Sequence, residues 1–415
     1  MKYKVLVVLL ALMLVVSLAG WLSCGPAAEE EAPPVEEEEE APPVEEVWKW
    51  PKEFTIATSA IGSSDYAELT AIAPMIEKDT GMKVRIVPED SIPLKARWVK
   101  SGLFDCTTQS AGEVASFCME AKAAYLTRDG GPFQARSFAQ TVIQTFGVMV
   151  RGDSKIRTVY DIKPGTKMAT WTMPGGLDLV KAVLAWAKLT VNDVILVETG
   201  SYPDNMRMIS DGRADVCCLS LPSATVVQEL EAAPNGLHWL DLNSKQDPDG
   251  AARFNTILPA HVFAPIIIGV PSSIGHWGWG SAALLWTTVD TDPELIYHLI
   301  KWLDENYNSY KDLHPNMADM SLERYRVSLD TAYLPVHEGA IKYLKEKGMW
   351  TAADDVRQAY NVDLVTKYCN AYAAAIDLAD AKGIKVDPNN TEWVELWQNY
   401  KNSLGLPIFK VIYKF

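Results

Sequence analysis

The chain has no run of basic residues, few cysteines and, beyond its N-terminal segment, no long apolar run. Without a basic stripe, its body offers no electrostatic footprint for a nucleic acid. No later segment reaches the roughly 20 apolar residues that a membrane-spanning helix needs. The six histidines are dispersed without ligand-like spacing, at positions 238, 261, 276, 298, 314 and 337. These absences argue against a nucleic-acid partner, a membrane-spanning body and a metal site.

Motifs that place a nucleophile, a metal-bound base or a phosphate loop are absent as well. The sequence contains no His-Glu-x-x-His, Gly-x-Ser-x-Gly, Gly-x-x-x-x-Gly-Lys-Ser/Thr or Gly-x-Gly-x-x-Gly pattern. We therefore predict no enzymatic activity, no catalytic residue, and no metal or organic cofactor. An enzyme working in a cleft would need a catalytic dyad, which the sequence does not show.

The N-terminal segment has the layout of an export signal. Two lysines precede an apolar stretch over residues 5–16, and Leu22-Ser23-Cys24 is similar to the end of a bacterial lipobox. We predict a signal peptide over residues 1–23, lipidation of Cys24, and attachment to the outer face of the cytoplasmic membrane. Cleavage near Ala19, which would release a soluble protein, and an uncleaved anchor are the alternatives.

Residues 24–48 are predicted to form an acidic, proline-rich tether. The sequence Glu-Ala-Pro-Pro-Val-Glu-Glu occurs there twice, beginning at Glu31 and Glu40. Such a segment buries too little apolar surface to fold, and proline and like-charge repulsion keep it extended. Without the ten tether glutamates and the two signal lysines, the formal net charge changes from −15 to −7. Much of the acidity therefore belongs to the tether.

Five cysteines remain if Cys24 is lipidated, at positions 106, 118, 217, 218 and 369. An odd number scattered through a large body does not indicate a disulfide framework. Cys217 and Cys218 lie in an apolar run that is typical of a buried strand, where thiols pack as small apolar groups. We predict neither a disulfide nor a metal site at this pair.

Short apolar runs alternate with amphipathic stretches through most of the body. Strands are predicted at 54–57, 83–87, 104–109, 148–150, 166–170, 194–197, 214–219 and 266–270. Helices are predicted at 65–79, 93–101, 176–188, 204–210, 224–232 and 351–382. This alternation is typical of βαβ units and a mainly parallel sheet.

The body is too long for one hydrophobic core and favours two domains. We predict lobe I over residues 49–147, with residues 263–415 returning to it, and lobe II over residues 148–262. The strand predicted at 266–270 returns to the first sheet, and helices of the C-terminal region cover it. Two α/β lobes joined by crossing strands leave a ligand cleft between them.

Several stretches of the body resemble, in order, the TAXI family of solute-binding proteins from TRAP transporters. Residues 55–66 resemble the family's opening strand, loop and helix, and residues 148–162 its Val-Arg-x-Asp-Ser-x-Ile segment. Residues 211–215 are similar to its Asp-Gly-x-Ile-Asp, and residues 334–343 to its Pro-Leu-His-Pro-Gly-Ala segment. The ordered set, from about residue 53 to 350, is more specific than any single motif.

This resemblance implies a periplasmic-binding-protein-like fold and an extracytoplasmic, monomeric receptor. Such a receptor delivers a small organic acid or amino acid to TRAP membrane subunits, which use an ion gradient. Two ligand loops differ from the family, with Ser63-Ser64-Asp65 replacing Gly-Gly-Thr and residues 172–176 replacing Gly-Ser-Gly-Thr. The solute therefore stays open. A receptor of an ATP-driven importer and a ligand-sensing surface protein are the alternative functions.

The candidate ligand-binding residues follow predicted strand ends or open predicted helices. They are Ser59, Ser63, Ser64, Tyr66, Gln109, Ser110, Thr170, Trp171, Thr172, Gly175, Gly176 and Ser220. Ligands of open α/β sheets bind at the carboxyl ends of strands, where helix N-termini present free N–H groups. Glycine at such a turn lets the backbone approach a ligand closely.

Several of these positions also have a purely structural interpretation. Ser64 or Asp65 would cap the first helix, and Trp171 would close the lobes through an apolar contact instead of stacking on a flat ligand. Arg136 is either a carboxylate partner or a solvated surface residue. The aromatic, glycine-rich stretch 275–280 is a lid, a contact surface for a membrane partner, or a packed loop.

Overall fold

A computed structural model describes residues 48–411, except residues 60, 62, 90, 173 and 174 and the side chain of Gln144. The predicted signal peptide, Cys24 and nearly all of the tether lie outside the described residues. The strands are β1 (Glu53–Thr58), β2 (Lys83–Pro88), β3 (Cys106–Ser110), β4 (Ala135–Arg151), β5 (Lys167–Trp171), β6 (Ile195–Thr199), β7 (Val216–Ser220), β8 (Leu237–Leu240), β9 (Val262–Pro265) and β10 (Trp277–Thr288).

The helices alternate with these strands up to residue 255 and dominate after residue 290. The longer ones are α1 (Ser64–Thr80), α2 (Ile92–Lys100), α3 (Gly176–Trp186), α4 (Tyr202–Ser210), α5 (Thr225–Glu231), α6 (Pro248–Asn255), α7 (Pro293–Glu305), α8 (Leu322–Leu329), α9 (Glu338–Glu346), α10 (Ala352–Ala381) and α11 (Thr391–Ser403). A short turn of α-helix at Ala111–Glu113 continues into a π-helix at Val114–Met119.

The sheet follows the order β2-β1-β3-β10-β4-β7-β5-β6, with β8 beside β4 and β9 beside β10. In lobe I, β1 pairs in parallel with β2 and β3. In lobe II, β5 pairs in parallel with β6 and β7. The parallel pairing within each lobe was predicted from the alternation of apolar runs and helices, and the structure confirms it.

Two long antiparallel strands, β4 and β10, connect the lobes. The first part of β4 pairs with β10 from Ala135 to Phe146, and its last part pairs with β7 and β8. The sequence predicted only the last residues of β4 and no strand at β10. A close backbone approach explains the glycine at 278, because a Cβ there would lie 2.1 Å from the carbonyl oxygen of Phe146.

The strand predicted at 266–270 is wrong. These residues form a loop, and Ile266 and Val270 are apolar because they pack into a lobe II core with Trp239. The stretch 275–280 is neither a lid nor a loop throughout, because most of it begins β10 and Trp279 is buried in lobe II. The chain returns to lobe I along β10, and we propose the lobe boundaries on this basis.

Lobe I has one large apolar core, and lobe II has a core on each face of its sheet. Along β4, Val148 and Val150 face one lobe II core with α3 and α6, and Met149 faces the other with α4 and α5. Such two-sided burial is expected for a strand inside a sheet that helices cover on both faces. The C-terminal region is helical, as predicted, and its helices α10 and α11 pack into the lobe I core.

Within residues 48–411, no helix of the structure has the length and apolar character needed to cross a membrane. The five cysteines in this part of the chain are free thiols, and all but Cys369 are buried. Burial raises the pKa of the Cys217 thiol to about 11. Cys217 and Cys218 lie on the buried strand β7, where the sequence predicted them.

Candidate functional site

Parallel pairing brings the predicted lobe I residues to one edge of the sheet. Within β1 and β3, Ala57 lies opposite Thr107. Ser59 follows β1, and Gln109 and Ser110 end β3, so the three residues meet at the carboxyl ends of neighbouring strands. This is the edge at which ligands of open α/β sheets bind.

The loop after β1 is organised by the cap of α1. Ser63 caps the helix, and its hydroxyl oxygen accepts a hydrogen bond of 3.3 Å from the backbone N–H of Tyr66. Asp65 Oδ2 accepts a bond of 2.9 Å from the backbone N–H of Ser59. The cap was predicted at Ser64 or Asp65, and this is wrong because the helix begins one residue earlier than expected. The ligand role of this loop stays a prediction.

A buried lysine joins this edge, and the sequence interpretation missed it. Lys95 on α2 is 1% exposed, and its ammonium group donates to Ser59 Oγ at 3.2 Å and to Gln109 Oε1 at 3.4 Å. A cation is therefore held at the carboxyl ends of β1 and β3. The spacing in the sequence could have indicated this burial. Lys95 lies four residues before Val99, so the two side chains share one face of α2, and Val99 is buried.

The base of the cleft, where β10 passes lobe I, holds a second polar group. Ser110 Oγ lies 2.6 Å from Ser281 Oγ, which also accepts from the backbone N–H of Gly112 at 3.1 Å. His261 packs on the same glycine, because a Cβ at Gly112 would lie 2.9 Å from its Nε2. The imidazole also stands edge-on to Trp279, with ring centroids 5.3 Å apart.

His261 is expected to favour the folded state less as the pH falls. Burial lowers the pKa of this imidazole from 6.5 to about 4. Because the unfolded chain takes up the proton first, the contribution of neutral His261 to stability is complete above about pH 6.5 and is lost as the pH falls through 4, by about 3 kcal/mol. Between pH 7 and pH 4.5, denaturant titrations should therefore show the stability of His261→Gln rising relative to the wild type by about 2–3 kcal/mol. His238→Gln, a matched change outside the cleft, should follow the wild-type profile, and parallel profiles in all three proteins would contradict the assignment.

The lobe II residues meet at the carboxyl end of β5. Thr172 donates from its hydroxyl to the carbonyl oxygen of Thr199 at 3.1 Å. Trp171 donates from Nε1 to the carbonyl oxygen of Gly200 at 3.3 Å, and its ring lies 5.2 Å from that of Tyr202. Trp171 therefore packs within lobe II, and neither stacking on a ligand nor closing of the lobes is needed to explain its position.

Two of the predicted lobe II hydroxyls are turned into the core. Thr170 is 4% exposed, and its hydroxyl lies 3.5 Å from the carbonyl oxygen of Met168. Ser220 is fully buried and donates to Cys217 Sγ at 3.3 Å. Core packing accounts for both side chains, so Thr172 and the turn at Gly175 stay as the predicted ligand contacts of this lobe.

The two lobes touch each other at that turn. Gly175 has φ of +81° and caps α3, which begins at Gly176. A Cβ at Gly175 would lie 2.3 Å from Cζ of Phe117, a lobe I residue on the π-helix. Glycine is required here by its left-handed backbone and by the close contact across the cleft. The two sets of polar strand ends thus belong to lobes that meet in this structure.

A buried acid lies behind the lobe I edge. Glu113 is 8% exposed, and its Oε1 accepts a hydrogen bond of 3.4 Å from the hydroxyl of Tyr125. Burial raises the pKa of Glu113 to about 8, an effect that the nearby Lys95 partly offsets. Perturbed carboxyl groups of this kind cluster at functional sites, and a lone Glu in a sequence gives no sign of it.

Arg136 and His337 lie apart from this cleft edge. Arg136 is buried rather than solvated, and it donates to the carbonyl oxygen of Ala135 at 2.9 Å. His337 caps α9 by accepting from the backbone N–H of Gly339 at 3.2 Å, which is a structural role. Within the part of the chain that the structure describes, no group of three His, Cys, Asp or Glu side chains is placed to hold a metal ion.

Two α/β lobes joined by crossing strands define a periplasmic-binding-protein-like fold. The model of the NMT1-like family matches residues 56–348, and the chain therefore belongs to this family. No curated protein matches the sequence.

Solved structures with similar folds include three bacterial binding proteins. The alkanesulfonate-binding protein SsuA of Xanthomonas axonopodis pv. citri, bound to MOPS, is 14% identical over 80% of this chain and 94% of its own, with a TM-score of 0.39. The aliphatic sulphonate binding protein SsuA of Escherichia coli is 13% identical over 77% and 88%, with a TM-score of 0.39. An extracellular-binding protein for an amino-acid ABC transporter, YtmK of Bacillus subtilis, is 11% identical over 65% and 97%, with a TM-score of 0.39.

Proposed function

We propose that the protein is an extracytoplasmic solute-binding receptor that closes its two lobes around a small solute and delivers it to a membrane importer. The observation that supports this most is the meeting of Gly175 and Phe117, which joins the two lobes beside the polar strand ends of each. A solute held by both edges would favour the closed state, because it makes both sets of contacts only there. No reaction is assigned to the protein.

The chemistry of the lobe I edge favours a solute with a negatively charged group. Lys95 supplies a cation beside the hydroxyl of Ser59 and the amide of Gln109. Charge-assisted hydrogen bonds to a carboxylate contribute about 1.5–3 kcal/mol each. The lobe II edge adds the hydroxyl of Thr172 and the turn at Gly175, where α3 begins. We infer a small organic acid or an amino acid.

A thermal-shift screen of the purified full chain tests this proposal. The panel contains L-glutamate, succinate and other dicarboxylates, neutral amino acids, and aromatic acids such as phenylacetate. A solute that binds only the native state raises the apparent melting temperature by mass action. A shift with one acid supports the receptor function and names the solute class. A folded protein that shifts with none of these compounds would contradict the proposal.

Replacing Lys95 by methionine should weaken binding of the acid found in that screen by 10- to 100-fold, equivalent to about 1.4–2.8 kcal/mol. Because Lys95→Met also removes the hydrogen bonds to Ser59 and Gln109, the folding of each variant is checked by its melting temperature before the affinity is measured. Isothermal titration calorimetry measures the affinity. Lys100→Met is the matched control, since Lys100 is on the same helix but donates to the carbonyl oxygen of Gly130. Equal affinities for both variants would remove Lys95 from the site.

The type of importer is a separate part of the proposal. A TRAP-type partner rests on the motif resemblance over residues 53–350 alone, whereas a receptor of an ABC transporter occurs among the similar solved structures. Uptake of the labelled solute by cells decides between them. Uptake that stops with an ionophore while ATP is maintained indicates a TRAP-type partner. Uptake that follows the ATP level indicates an ATP-driven importer. A response of the cells to the solute without its uptake indicates a sensor.

The proposed attachment to the membrane rests on the sequence of the N-terminal segment. Lipidation at Cys24 would hold the body outside the cytoplasmic membrane through the acidic tether. Mass spectrometry of the mature N-terminus in the native host distinguishes a lipidated Cys24 from cleavage near Ala19.

A further inference from the structure

The two C-terminal helices lie beyond the residues that match the family model, yet they are part of the lobe I core. The family match ends at residue 348, and α10 begins at Ala352. Three large side chains of this region, Tyr372, Trp393 and Trp397, are each 2% exposed or less. Burial on this scale shows that α10 and α11 support another element of lobe I.

That element is the segment 114–127, which joins the π-helix to the following turn. Trp397 Nε1 lies 3.1 Å from the carbonyl oxygens of both Glu120 and Ala121. Trp393 Nε1 donates to the carbonyl oxygen of Leu126 at 3.1 Å. The side chains of both α11 tryptophans therefore bond to main-chain carbonyl oxygens of this segment.

Two further hydrogen bonds from the C-terminal region reach Thr127 and Glu120 of the segment 114–127. The Tyr372 hydroxyl donates to the carbonyl oxygen of Thr127 at 2.8 Å. The backbone N–H of Phe409 donates to Glu120 Oε1 at 3.0 Å. Because Glu120 is 1% exposed, this bond satisfies a buried carboxylate oxygen. The segment is thus tied to α10, to α11 and to the chain that follows α11.

The backbone of the segment is strained where these contacts converge. Ala121 and Ala123 have φ of +47° and +49°, a region that costs an alanine about 1–3 kcal/mol. The residues before them form a π-helix, Val114–Met119, a rare conformation that is frequent at functional sites. Such a strained backbone persists only where neighbouring elements stabilise it, and here α10 and α11 do so.

The strained segment leads directly to the contact between the lobes. Phe117 lies on the π-helix, and its ring meets Gly175 of lobe II. Only two residues separate it from Glu120, whose carbonyl oxygen accepts from Trp397 Nε1. Loss of the hydrogen bonds from Trp397 to Glu120 and Ala121 would therefore shift the Phe117 ring, against which lobe II closes.

We propose that α10 and α11 position Phe117 for lobe closure, with Trp397 as the principal positioning residue. The C-terminal region then sets how readily the lobes close. For solute affinity this inference rests on the proposed function, but lobe closure itself does not require a known solute.

The test uses the full chain without added solute. Dyes are attached through unnatural amino acids at Leu103 and Ile195, which are 64% and 50% exposed and lie on different lobes. Single-molecule energy transfer then reports the population with the larger interlobe distance. Trp397→Phe, which removes the indole N–H, should raise this population at least threefold. Phe117→Ala should do the same, and the double variant should add little, because both changes act on one contact.

Trp302→Phe is the matched control for a general loss of stability. Trp302 is buried on α7 in the same core, and its Nε1 donates to Asp79 Oδ2 at 3.1 Å, away from the segment. It should lower the melting temperature about as much as Trp397→Phe while leaving the interlobe distances unchanged. Unchanged distances in Trp397→Phe, or an equal change in Trp302→Phe, would overturn the proposal. Neither outcome depends on whether the solute screen succeeds.

Discussion

Replacing Gly175 by alanine should weaken solute binding by 10- to 100-fold while leaving both lobes folded. The added methyl group would lie 2.3 Å from Cζ of Phe117, about 1 Å closer than ordinary carbon–carbon contact. Phe117 is 6% exposed, so its ring has little room to move aside. The lobes must separate instead, and a solute loses contacts with one of the two edges. The loss corresponds to about 1.4–2.8 kcal/mol of binding free energy.

A matched glycine separates this steric effect from backbone strain. Gly165, also in lobe II, has φ of +87°, and a Cβ there meets nothing within 4 Å. Gly165→Ala therefore carries a similar cost of about 1–2 kcal/mol for a left-handed alanine, without a clash. Calorimetric affinities should be reduced in Gly175→Ala and unchanged in Gly165→Ala.

A second change tests the same contact from the other side. Phe117→Ala removes the ring that the methyl group of Gly175→Ala meets. In the Phe117→Ala background, energy transfer between the lobes should therefore show no further opening when Gly175→Ala is added. Further opening in the double variant would ascribe the effect of Gly175→Ala to the turn itself and not to the contact between the lobes.

Glu113→Gln should remove most of the loss of stability that the wild type shows at alkaline pH. The folded pKa of Glu113 is about 8, against 4.5 for an unperturbed glutamate. A raised folded pKa means that the stabilising contribution is complete below about pH 4.5 and is lost as the pH rises through 8. The wild type should lose about 4 kcal/mol over this range through this residue. Glutamine keeps the acceptor for the Tyr125 hydroxyl and has no charge to bury.

Denaturant titrations at pH 5 and pH 9 measure the difference between the two proteins. The variant should match the wild type at pH 5 within about 1 kcal/mol and exceed it by several kcal/mol at pH 9. Some slope should remain, because burial also raises the pKa of Glu68 to about 7. Glu77→Gln, on the exposed side of α1, controls for the loss of one negative charge. Parallel profiles for all three proteins would show that Glu113 is not the source.

The parallel parts of each lobe could be predicted because local patterns specify them. The strand before Ser59 and the helix that stops at Gly81 follow from an apolar run, a polar cap and a left-handed glycine. The long helix 352–381 starts with a reciprocal capping box between Thr351 and Asp354. Each of these signals lies within a few residues of the element that it determines.

The crossing strands could not be predicted in the same way. Residues 135–147 mix Gln, Thr and Ser with apolar residues, and their partner strand β10 lies more than 130 residues away. Their stability comes from each other, so neither stretch shows its structure alone. The strand prediction at 266–270 is wrong for a different reason. The apolar residues of this stretch pack into a core but do not pair in the sheet.

The sequence by itself determined the alternation of strands and helices and the polar residues at the carboxyl ends of β1, β3 and β5. Only the tertiary structure decided which of these residues lie close together. Lys95 meets Ser59 and Gln109 through the packing of α2 against the sheet, and Ser220 turns into the core. Whether a side chain faces a cleft or a core depends on elements that are distant in the chain. Hydrophobic burial is non-directional, so a local pattern does not specify which distant element will cover a given residue.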